Sequence, residues 1–190
     1  MKYSFKNTIE YFGPKLYSIE PISNEYKGLF DMANFTNEDI DKLIDENIKG
    51  KNIDELEDEV HNLLGGIVIT KDDKILLAPN CCGDISNLYS WEEIKSNTSK
   101  EWTQLWIGHP WIFYRKLDEQ VEISNYYDDD NPEIKFENIK FAISNDQLEE
   151  GLKEIRKIQE LFQDRLSRRL KLKNIKNYEQ VAERMGCSYR

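Results

Sequence analysis

Leu148, Leu152, Ile155, Ile158, Phe162, Leu166 and Leu170 return every three or four residues, the spacing that lays side chains along one face of an α-helix. Ser144 and Gln147 stand just ahead of the stripe as a capping pair. The pattern predicts one long helix over residues 144–172, and such a helix needs a surface to cover its apolar face. A sheet of the same chain is the simpler cover, because one polypeptide then supplies both sides. A coiled-coil seam between copies, making the chain a homo-oligomeric structural subunit, is the alternative. Asn174 and Asn177 interrupt the helix before a short one over 178–185, with Gly186 as its stop. Residues 144–190 therefore read as a helical C-terminal segment.

The remaining patterns supply the sheet. The segment through Phe30 is aromatic and reads as irregular, broken by Pro14 and Pro21; Tyr11, Phe12, Tyr17, Tyr26 and Phe30 suit a sheet edge or a local core. Thr36 and Asp39 open a helix with Ile40, Leu43, Ile44 and Ile48 as its stripe and Gly50 as its end. A second helix is expected over residues 53–64, carrying His61 as a boundary or surface histidine and released by Gly65 and Gly66. The period then shortens: Ile67-Val68-Ile69-Thr70 and Ile75-Leu76-Leu77 form a hairpin about the charged turn Lys71-Asp72-Asp73-Lys74. Further strands are expected within 102–107, 111–115, 121–124 and 134–143, and a short helix after Ser90 and Glu93. The expected fold is α+β: a single domain over 1–190 with a mixed or mostly antiparallel sheet, N-terminal helices, and the long C-terminal helix packed on the sheet.

Charge limits the partners. Residues 1–152 hold 31 acids and 15 bases, a net of −16, whereas residues 153–190 hold 11 bases and 5 acids, a net of +6. An acidic body repels a phosphate backbone, so nucleic acid is not expected as a partner, and it attracts a cationic protein. The basic end suits a helix lying against the acidic body. With no continuous apolar segment, neither a secretory signal nor a membrane span is expected, which points to the cytoplasm. Three cysteines cannot all pair within one chain, and the adjacent Cys81 and Cys82 could bridge only in a strained turn, so reduced thiols are expected.

Chemistry-bearing residues concentrate between Pro79 and Pro110. Cys81, Cys82, Asp84 and His109 are the types used for zinc or for a thiolate nucleophile with an imidazole base. Their spacing matches no metal or catalytic motif, so no cofactor is expected: the cysteines read as buried thiols beside a tightly turned loop, and the four residues remain a catalytic or metal-binding alternative. Trp91, Trp102, Trp106 and Trp111 offer stacking area, but their charged neighbours are mostly acidic, so they read as core wedges with one available to mark a partner surface.

Tyr126-Tyr127-Asp128-Asp129-Asp130 combines aromatic anchoring area with carboxylates that can meet lysines and arginines. It lacks the ligand order and central glycine of a calcium loop. A small acidic body with internal aromatics and an incomplete catalytic inventory is similar in type to a bacterial toxin-neutralising (immunity) protein or another cytoplasmic adaptor. That likeness implies a protein-binding module, with these five residues at its contact with a basic protein partner.

Overall fold

Two antiparallel four-stranded sheets share one long helix as their cover. The computed structural model describes residues 3–11, 18–52, 55–129 and 132–186. Phe12 and Tyr17, Ile53 at the start of the expected second helix, Asp130 of the acidic loop, and Cys187 lie outside the described residues.

The first sheet runs β2 (Leu29–Asp31), β1 (Tyr3–Glu10), β3 (Gly65–Lys71), β4 (Lys74–Leu77). β1 corrects the expectation of an irregular start. Tyr3, Phe5 and Ile9 alternate as a strand face should, but the position between them is Asn7, which hides the period and is nevertheless buried. The expected hairpin forms, with Asp72 and Asp73 both at positive φ, 50° and 62°, as a tight two-residue connection requires. Ile22, Tyr26 and Ile75 pack over Leu29, Val68 and Ala78, so part of the aromatic segment does cover this sheet.

The second sheet runs β5 (Thr103–Leu105), β6 (Ile112–Lys116), β7 (Gln120–Ser124), β8 (Ile139–Ser144). The strands divide into two sheets because a helical insert separates β4 from β5: a 3-10 turn at Ile85–Asn87, then α3 at Leu88–Ser96. Trp91 of α3 is fully buried, in one core with Ile67, Ile69 and Leu77 of the first sheet and Leu105, Ile112 and Ile123 of the second.

α4, Asn145–Leu172, starts directly after β8, and the Ser144 side chain accepts from the Gln147 amide as expected. Leu148, Leu152 and Ile155 close the core between the sheets. Phe162, Leu166 and Leu170 enter a second core with α1 (Asn37–Ile48) and α5 (Tyr178–Gly186). These six residues are at most 7% exposed, so the stripe is satisfied within the chain, at about 1.5–3 kcal/mol for each large side chain buried.

Charge follows the same architecture. Arg169 forks onto Asp41, with Nε to Oδ1 at 2.9 Å, and Lys173 reaches Asp45 at 2.7 Å. Arg156 forks onto Glu92 of α3, and Arg165 donates to the Phe35 carbonyl at 2.7 Å. The basic end of the sequence thus lies along a helix packed on acidic partners.

Two helix expectations need correction. The second helix, α2, covers only Leu56–Glu59. Beyond it the backbone is spent elsewhere: the Leu63 amide donates to the Met185 carbonyl at 3.0 Å, and the Leu63 and Leu64 carbonyls accept from Ile85 and Glu10. Helical bonding would forfeit these links. Ser90 lies inside α3 and does not open it; the turn before it is capped by Asp84, whose side chain accepts from Ser86. Thr36 caps α1 as expected, and Asp39 does more than place an acid in the first turn: its carboxylate accepts from the Thr36 amide and closes a reciprocal capping box. Among the described residues, no helix is long and apolar enough to cross a membrane.

Candidate functional site: three converging loops

Two glycines make a close approach of loops possible. Gly108 has φ of 110°, and a Cβ there would stand 2.6 Å from the Cys81 carbonyl oxygen; at Gly83 a Cβ would stand 2.6 Å from the Ile107 carbonyl oxygen. Without side chains, segments 80–83 and 106–109 meet backbone to backbone. Cys81 and His109 form an isolated antiparallel bridge, with the His109 amide donating to the Cys81 carbonyl at 2.9 Å. Trp111 and Tyr127 form the next, through two reciprocal 2.8 Å bonds. Three loops therefore converge at one edge: 80–83, 106–111 and 126–129.

The side chains divide into supports and exposed groups. Tyr126 is half-buried, and its hydroxyl donates to the Ala78 carbonyl at 3.0 Å and accepts from the Ala78 amide at 3.3 Å. Burial pushes this phenol above its ordinary value. The Tyr127 ring stands edge-on to Phe113 at 6.0 Å, and burial, then the Glu137 charge, raises its phenol as well. Both tyrosines thus anchor the loop that carries Asp128 and Asp129. Trp106, on the 106–111 loop, is 51% exposed, and Phe136, beyond the acidic loop, is 84% exposed. The sequence leaves one of the four tryptophans to mark a partner surface without choosing it; of the four, Trp91 is buried as a core wedge, Trp102 and Trp111 are half-buried, and Trp106 is exposed.

His109 is exposed, its Nε2 stands 3.7 Å from Asp128 Oδ1, and its ring meets Trp111 edge-on at 5.0 Å. Against the expectation of buried thiols, Cys81 and Cys82 are both exposed on their tight turn, with sulfurs 3.0 Å apart. The hydrogen bond with Cys82 and that neighbour's charge hold the Cys81 thiol above its ordinary value. The structure brings Cys81, Cys82, His109 and Asp128 to one face. It does not bring Asp84 there as a free ligand, since its carboxylate caps the turn before α3. Among the described residues, no three His, Cys, Asp or Glu side chains are arranged to hold a metal ion. Comparison with protein-family models, curated proteins and solved structures finds no match to this chain.

Proposed function

We propose that the chain is a protein-binding module that docks a basic partner on the face built by loops 80–83, 106–111 and 126–129. The observation that carries this reading is an exposed Trp106 on the 106–111 segment, which pairs through Trp111 with the 126–129 loop, where two tyrosines are spent on anchoring and Asp128 keeps an 89% exposed side chain. A large aromatic supplies buried contact area on binding, and neighbouring carboxylates steer cations toward it. The charge distribution supports the same reading. Arg156 and Arg169 of α4 and Lys173 at its C-cap are engaged by Glu92, Asp41 and Asp45, which leaves less positive charge to oppose a cationic protein. A toxin with a basic working face, neutralised by being covered, fits this chemistry; nucleic acid does not.

Replacing Trp106 by a photo-crosslinking phenylalanine analogue tests the surface, with the same group at Leu172, 68% exposed on the far end of α4, as control. A basic protein captured through position 106 and competed away by wild-type chain supports the reading. Equal capture at both positions overturns it.

A further inference from the structure

The geometry points to Cys81 and Cys82 as a reversible dithiol–disulfide site that closes on itself when it meets a small disulfide such as glutathione disulfide. Adjacent cysteines rarely pair, since consecutive Cα atoms sit about 3.8 Å apart, below the usual separation across a disulfide of about 4.4–6.8 Å. A chain must turn sharply to bring the sulfurs together. Here the turn is already made in the thiol state: Cys82 has φ of 67°, and the sulfurs lie 3.0 Å apart.

The surroundings hold that turn. The Gly83 amide donates to the Asn80 carbonyl at 3.2 Å, the Gly65 amide to the Gly83 carbonyl at 3.1 Å, and the His109 amide to the Cys81 carbonyl. The contacts that require glycine at 83 and 108 fix the same backbone. Both thiols are exposed, so a soluble oxidant can reach them.

Closure needs two exchanges. One cysteine thiolate attacks a sulfur of glutathione disulfide, forming a mixed disulfide and releasing one glutathione thiolate. The neighbouring thiolate then attacks the protein sulfur of that mixed disulfide, forming the Cys81–Cys82 bond and releasing the second glutathione. Two electrons pass to glutathione disulfide, and the two thiol protons end on two glutathione molecules. A bond forced between adjacent residues and open to solvent belongs to the readily reduced class, so glutathione reverses the reaction. The inference does not depend on the binding proposal.

The test is mass spectrometry of the full chain after exposure to glutathione disulfide, read on the tryptic peptide 75–95, which holds both cysteines and excludes Cys187. The expected result is loss of two hydrogens from that peptide, reversed by glutathione, with closure faster in the folded chain than in guanidinium. Cys82→Ser should instead trap a stable glutathione adduct on Cys81. A lasting glutathione adduct on the wild-type peptide, no reaction, or equally fast closure when unfolded would each overturn the inference.

Discussion

Asn7, in the middle of β1, donates a 2.9 Å hydrogen bond from Nδ2 to Oε1 of Gln159, in the middle of α4, and both residues are almost wholly buried. Gln159 also donates to the carbonyls of Ile85 and Gly186 at 3.2 and 3.3 Å. One amide thus ties together the first sheet, the long helix, the turn before α3 and the end of α5, where the two apolar cores adjoin.

Replacing Gln159 with leucine should destabilise the chain by about 2–3 kcal/mol, because it strands a buried donor on Asn7 and removes a donor from two carbonyls. Asn7→Leu combined with Gln159→Leu should recover part of the loss, since the pair then leaves no amide behind. Denaturant unfolding of the two single variants and the double variant measures the coupling. Strict additivity would show that the contact contributes nothing specific.

The same pair shows what was legible in the sequence. Local periodicity carried α1, α4, α5 and the β3–β4 hairpin, because each repeats apolar side chains at its own period and ends on a cap or turn residue. β1 was illegible because Asn7 interrupts its alternation, and the residue that makes burying Asn7 tolerable lies 152 positions away. The helix expected over 53–64 failed for a related reason: backbone partners at Glu10, Ile85 and Met185 claim groups that a helix would use. At the candidate site, residue types marked Cys81, Cys82 and His109, but that Tyr127 packs edge-on to Phe113 while Trp106 stays exposed is set by tertiary contacts that no local pattern encodes.

Gly108 and Gly50 offer a controlled comparison. Both have positive φ, 110° and 77°, but a Cβ at Gly50 meets nothing within 4 Å, whereas at Gly108 it collides with the Cys81 and Asn80 carbonyl oxygens. Gly50→Ala should cost about 1 kcal/mol from backbone strain alone. Gly108→Ala should cost more, and should also alter thiol reactivity at Cys81 and Cys82 by forcing the loops apart. Equal melting temperatures for the two variants would contradict the close approach.

Asp41 predicts a direction for acid sensitivity. The hydrogen bond from Arg169 outweighs burial and holds its carboxyl below the ordinary value, with the charges of Arg169 and Lys173 adding to the effect. Between the lowered folded value and the ordinary value of about 3.9, the unfolded chain binds the proton and the folded chain does not, so stability rises with pH there. The contribution is fully present above the unfolded value and is lost as pH falls through the folded one. Asp41→Asn should flatten the acid limb of the stability curve. An unchanged limb would place the acid sensitivity elsewhere.

If Trp106 and the acidic loop form one docking face for a basic protein, as we propose, binding kinetics measured against salt will reveal it. With the crosslinked partner in hand, neutralising Asp128, Asp129 and Asp130 to asparagine should slow association and reduce its salt dependence, with dissociation little changed. Trp106→Ala should instead speed dissociation by tenfold or more, a loss of about 1.4 kcal/mol or greater, as expected for an aromatic anchor. Association and dissociation rates unchanged in both variants, with folding intact, would contradict the account.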